Sequence, residues 1–227
     1  MARPSRAKAA GKAATSASAA ELRVYLPIAD LQPQFAAYLS TPLRARGYPP
    51  REGEHSLIVE VAPALAIHRV ADLALKAVEE LEPGILFTER QFGVLELHSA
   101  DPALLEAAGA AVLAGLGAAP EDQMRPATLF TDIIEELDDR HAIVLNRTRE
   151  ASMILPGQSL LVYEMAPALF AAVAANEAEK AAPAVTLVDV QMIGASGRVF
   201  LAGRSAELAL AQARIAETLD AVEGRSG

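Results

Sequence analysis

Apolar positions recur along this chain in two rhythms. Short aliphatic and β-branched runs, bounded by Gly, Pro or charge, predict strands at 57–61, 85–88, 94–98, 142–146, 160–165, 185–191 and 199–202. Between them the spacing changes to three and four. Ile67, Ala71, Ala74, Val78 and Leu81 share one face of a predicted helix, and so do Ala171, Ala175, Ala178 and Ala182. Pro63 and Pro167 stand where a first helical turn tolerates proline. Asp101-Pro102 reads as the N-cap and first residue of a second helix carrying Leu105, Ala108, Val112 and Leu116. Ser205 is the expected cap of its counterpart, which carries Leu208, Ala211, Ile215, Leu219 and Val222.

The pattern occurs twice because the sequence does. Residues 62–77 and 166–181 agree at eight of sixteen positions without a gap, at an offset of 104. Alanine matches count for little here, but the shared Pro, Leu and Lys are harder to reach by chance. Ile28-Ala29-Asp30-Leu31 and Phe130-Thr131-Asp132-Ile133, about 102 residues apart, place a strand or helix segment ahead of the repeated motif in each copy. The expected organisation is a disordered basic tail at 1–20, one domain at 21–122, a second at 123–223 and a short tail at 224–227. Residues 117–126, with Gly, Pro and charge but no apolar period, form the linker. A duplicated domain is suited to symmetric assembly.

Composition narrows the chemistry. The 227 residues are 52% hydrophobic but only 4% aromatic, so the core is built from Ala, Leu, Val and Ile, which permit close packing. The absence of cysteine removes disulfides, zinc–thiolate sites and cysteine nucleophiles. Arg3, Arg6, Lys8 and Lys12 make the tail +4; with −9 overall, the remainder is −13. Such an acidic body argues against nucleic acid as a partner. No apolar stretch approaches the ~20 residues of a membrane helix.

Catalytic constellations are missing. Gly194-Ala195-Ser196-Gly197 lacks the closing glycine of a nucleophile elbow, because Arg198 stands in its place. There is no phosphate-binding glycine loop. His55, His68, His98 and His141 are scattered without metal-ligand spacing, and the acidic run at 135–139 reads as a solvated helix end. No cofactor, metal or enzymatic activity is therefore expected. One local difference between the copies draws notice. Aligning Gly93 with Gly194 sets Glu89-Arg90 against Val190-Gln191.

The motif Ala71-Asp72-Leu73-Ala74-Leu75-Lys76-Ala77, followed by a strand, Gly93 and a second strand, resembles the bacterial microcompartment shell domain. The second copy repeats it through Asn176, Lys180, Ala181 and the run 197–203, and the upstream segments 23–34 and 127–147 resemble the circularly permuted subtype. Leu31-Gln32-Pro33-Gln34, Val59-Glu60-Val61-Ala62-Pro63, Asn146-Arg147 and Met153-Ile154-Leu155-Pro156-Gly157 are similar to carboxysomal tandem members. The resemblance covers about residues 22–222. It implies an α+β fold of two tandem, permuted shell domains, each an antiparallel sheet packed with helices and related to ferredoxin-like folds. It also implies homotrimers tiling as pseudohexagons, possible stacking of two trimers, and co-assembly with other shell proteins in the microcompartment shell of the cytoplasm. On the same resemblance Glu89 and Arg90 line a gated central pore passing small anionic metabolites. Asp72, Lys76, Asn176 and Lys180 mark tile edges, with Asn176 departing from the family's acid. The competing reading is a tandem ferredoxin-like small-molecule-binding regulator; a third is an enzyme without a recognisable motif.

Overall fold

The computed structural model describes residues 20–41 and 47–226. The basic tail expected at 1–20 lies outside the described residues apart from Ala20, as does the last residue of the C-terminal tail expected at 224–227.

Each copy runs strand, helix, strand, helix, strand, strand, helix. In copy one these are β1 (Glu21–Ile28), α1 (Pro33–Leu39), β2 (His55–Ala62), α2 (Ile67–Ala77), β3 (Glu82–Thr88), β4 (Gly93–Ser99) and α3 (Pro102–Leu116). Copy two follows with β5 (Ala127–Ile134), α4 (Asp139–Thr148), β6 (Ser159–Ala166), α5 (Phe170–Ala181), β7 (Thr186–Gln191), β8 (Gly197–Gly203) and α6 (Ser205–Asp220). The strands form two antiparallel four-stranded sheets, ordered β1-β2-β4-β3 and β5-β6-β8-β7. Antiparallel pairing lets successive side chains serve opposite faces. In copy one Leu57, Val59, Val61, Leu95 and Leu97 turn to one side, where Ile67, Val70, Ala74, Ala108 and Val112 of α2 and α3 cover them. The other large cluster spans both copies: Val24, Leu26 and Ile28 of β1 and Phe35 and Tyr38 of α1 join Ala171, Ala175 and Ala178 of α5.

Several expectations need correcting. Residues 142–146 are not a strand but the centre of α4. Asp138 caps that helix through its own carboxylate, which accepts from the Arg140 amide at 3.0 Å. Helical spacing buries Ala142 and leaves Ile143 and Val144 exposed, so the β-branched run reflects an outward face. The segments left open ahead of the motif, around Ile28 and Phe130, lie in or at the ends of strands β1 and β5. Their true offset is 106, since Glu21 pairs with Ala62 and Ala127 with Ala166. Asp30 and Glu136 fall at the same point and share the left-handed conformation, with φ of 55° and 48°. Pro63 precedes a single 3-10 turn rather than lying within it. Ser205 is the first helical residue, with Arg204 at the cap; its hydroxyl meets Ser159 at 3.0 Å. Val78 and Leu81 lie beyond α2 yet remain buried. Asp101-Pro102 caps α3 as read, the Asp101 carboxylate accepting from the Ala103 amide at 2.9 Å.

The glycine alignment also changes. Gly93 opens β4 and Gly197, not Gly194, opens β8. A Cβ on Gly93 would stand 2.2 Å from the Ala64 carbonyl oxygen, and one on Gly197 would stand 2.1 Å from that of Ala168. The same close approach recurs at offset 104. Glu89-Arg90 is therefore matched by Ile193-Gly194.

Candidate functional site

The residues singled out above fall in one turn and on two helices. The turn joins β3 to β4. Thr88 pairs with Gly93, and the Glu89 amide donates to the Phe92 carbonyl at 2.7 Å, closing a tight turn that presents Glu89 half-buried and Arg90 exposed. Beneath it the Arg23 guanidinium lies 3.7 Å above the Phe92 ring and meets Glu60 at 2.9 Å. Cation–π contact and ion pair together anchor the turn to β1 and β2. Burial pushes the Glu60 carboxyl above the usual carboxylate range, and the hydrogen bond and charge of Arg23 only partly offset it. Copy two keeps the glutamate but not the anchor: Glu164 accepts from Ser196 at 2.6 Å and from Arg198 at 3.1 Å. Its turn, Ile193-Gly194-Ala195-Ser196, is uncharged. The charged tip belongs to copy one alone.

The other four residues lie on the equivalent helices of the two copies, Asp72 and Lys76 on α2 and Asn176 and Lys180 on α5. Lys76 pairs with Asp72 at 2.9 Å on the exposed side of α2. Asn176 is wholly buried: its side-chain oxygen accepts from the Gln32 amide at 2.8 Å. Lys180 donates to the Ala29 carbonyl at 2.6 Å and to Glu177 at 2.7 Å. Both copy-two residues are thus engaged by copy one. Sequence reasoning missed the centre of this joint. Glu179, 5% exposed, accepts from the amides of Gln34 at 2.9 Å and Phe35 at 3.1 Å, capping α1, which has no side-chain cap of its own. Gln34 donates to Val185 O and accepts from the Leu187 amide, at 2.9 and 2.8 Å. The Tyr38 hydroxyl donates to the Val190 carbonyl, and burial pushes its pKa well up.

A third polar group also escaped notice. Ser56 donates to Glu96 at 2.7 Å, and Glu96 meets His98 Nδ1 at 3.3 Å, all three side chains buried in the first sheet. Glu82 stands 3.6 Å from Nε2. Burial alone would lower the His98 pKa. The Glu96 hydrogen bond, with the charges of Glu96, Glu54 and Glu82, outweighs it and raises the pKa. Gly84 makes room, since a Cβ there would lie 2.1 Å from a Glu96 oxygen. The corresponding Leu160, Phe200 and Ala202 of copy two are apolar.

Among the described residues no group of three or more acidic or histidine side chains could hold a metal. No described helix is long and apolar enough to cross a membrane.

Comparison with known proteins points one way. Residues 22–122 match the model of the CsoS1D N-terminal domain. The chain is 38% identical to the carboxysome shell protein CcmP of Synechococcus elongatus, over 90% of this chain and 94% of that protein. It superposes on a double-ringed trimeric shell protein of the RMM microcompartment with a TM-score of 0.88 and 62% identity, covering 92% of this chain and all of the other. A fused permuted hexameric shell protein from the same microcompartment gives 0.85 and 45%, over 91% of this chain and all of its own length.

Proposed function

The chain belongs to the tandem-domain shell proteins of bacterial microcompartments, and we propose that three copies close into a six-domain ring whose centre is lined by the β3–β4 turn. It is a structural component of the shell, built from two permuted α+β domains. Self-association and contact with other shell proteins follow from that role. The relative described as a double-ringed trimer supports stacking of two such rings.

The single observation carrying the pore assignment is the asymmetry of the two turns. Glu89 and Arg90 crown an anchored hairpin in copy one, where copy two has Ile193 and Gly194. A three-fold axis would gather three Glu89 and three Arg90 into one ring. Pairs between neighbours attract and like charges across the axis repel, so closed and open arrangements differ little. Exposed pairs contribute about 0–1 kcal/mol each, a difference that a ligand or an adjoining tile can bias. Arg90 in the aperture favours small anionic metabolites. The protein acts as wall and passage, not as an enzyme. Lys76, with Asp72, and Lys180 serve the tile edges; Asn176 supports that edge from below by holding the start of α1.

The test replaces Glu89 and Arg90 together with alanine in shells reconstituted around an enzyme with an anionic substrate. The variant should keep ring mass and change substrate entry. Entry identical to the parent shell removes the gate assignment.

A further inference from the structure

The first strand of each copy is interrupted at the same point, and the copies fill the interruption differently. The register of β1 on β2 slips between Leu22 and Val24, and that of β5 on β6 slips between Thr128 and Phe130. A bulge of this kind re-aims the residue it inserts. In copy one that residue is Arg23; in copy two, at offset 106, it is Leu129, which is exposed. Leu22 packs with Val61 beneath α2 and α3, and Val24 packs with Ile58 in the opposite core. The linker fixes the bulge between them, the Met124 amide donating to the Arg23 carbonyl at 2.8 Å. The Arg23 side chain then reaches both Glu60 and the ring of Phe92, the residue whose carbonyl closes the charged turn. We infer that Arg23 is a positioning residue of the pore turn: stacked over Phe92 it holds the turn against the sheet, Glu60 holds Arg23 in place, and loss of the Glu60 charge releases the turn. This rests on the pore reading above and names what regulates that site.

Copy two supplies the contrast. Glu60 and Glu164 occupy one position, but the side chain of Glu60 is 2% exposed and that of Glu164 is 30% exposed. In copy two the turn bonds the glutamate directly, through the Ser196 hydroxyl, and Arg198 joins from β8. In copy one the position of Ser196 is Phe92 and that of Arg198 is Val94. The face of an aromatic ring is negative and offers a carboxylate nothing. A guanidinium suits both, so Arg23 is the bridge between turn and sheet. The register partners of Glu60 on β1 and β4 are Val24 and Val94, which carry no charge, and Arg23 is the charged group that acts on its carboxyl. Burial pushes that carboxyl above the usual range and Arg23 only partly offsets it, whereas Ser196 and Arg198 hold the Glu164 carboxyl below that range. As pH falls, the copy-one glutamate loses its charge first. The guanidinium it holds is then left with an uncharged partner, and the turn loses its anchor.

The experiment uses the full chain carrying a nitroxide label at Gln91→Cys, an exposed turn position in a chain with no other cysteine. Electron paramagnetic resonance reads the ratio of mobile to immobile label. In the labelled parent the ratio should rise as pH falls through the raised Glu60 value, and Glu60→Gln should fix it at the low-pH level. At neutral pH Arg23→Gln should raise the ratio about fivefold, the scale of one cation–π contact at a partly exposed site, and Arg23→Lys should recover part of the anchor. Phe92→Leu, which keeps the ion pair, should behave as Arg23→Gln does. Arg198→Gln, in copy two, should leave the ratio unchanged. A ratio unmoved by both Arg23→Gln and Phe92→Leu, or a pH response that persists in Glu60→Gln, overturns the inference. Entry of an anionic substrate into reconstituted shells tests the pore reading separately. A label that responds while entry stays at the parent rate supports the anchor and removes the pore assignment. An unmoved label, with entry changed by alanine at both Glu89 and Arg90, overturns the anchor and leaves the pore reading intact.

Discussion

Glu179→Ala tests the internal joint most sharply. Its carboxylate accepts two amides of α1 at 2.9 and 3.1 Å from a site only 5% exposed. Hydrogen bonds to a charged group contribute about 1.5–3 kcal/mol each. Removing a buried carboxylate also relieves its desolvation, which offsets part of the loss. The net cost should be about 2–4 kcal/mol. At this chain length that lowers Tm by about 5–15 °C. Glu179→Gln retains one acceptor oxygen and should cost about half as much. Urea unfolding at fixed protein concentration reads the midpoint, and the slope should not change, because the folded surface does not. Amide exchange should accelerate at both Gln34 and Phe35 in the alanine variant and at only one of them in the glutamine variant. A loss below about 0.5 kcal/mol, the range of an ordinary surface change, or equal losses in both variants, refutes the reasoning.

Two further outcomes follow from the sheets. Gly93→Ala and Gly197→Ala should each cost about 2–4 kcal/mol in chemical denaturation, because the added Cβ meets a backbone oxygen at 2.2 or 2.1 Å; a neutral result at either site would contradict the close approach. His98, raised in pKa by Glu96 and its acidic neighbours against the opposing effect of burial, contributes stability that is fully present below its unfolded value of about 6.5 and is lost as pH rises through the raised folded value. Stability should therefore fall across that interval in the parent and stay flatter in His98→Gln; parallel pH profiles would refute this.

The repeat made the architecture legible. The apolar faces of α2 and α5 and most strands stand in the chain as plain periodicity. Residues 142–146 misled because Ile143 and Val144 face outward on a helix, where β-branched residues mimic a strand. The turn alignment misled because two glycines lie three residues apart, and the strand register together with the shared close approach to a backbone carbonyl identifies Gly197 as the partner of Gly93. The joint was illegible for a different reason. Glu179 acts on amides 144 and 145 residues away, and no local pattern marks a carboxylate that caps a distant helix. The recurrence of Glu60 as Glu164, each before the Ala-Pro step, was a usable signal for the anchor beneath the charged turn.

The central claim is a ring of three chains with the copy-one turn at its axis. An electron cryomicroscopy map of the purified full chain tests it directly. The account predicts six domains around a three-fold axis, alternating between the copies, with Glu89 and Arg90 facing the central opening. A monomer, or a ring with that turn on its outer rim, would contradict it.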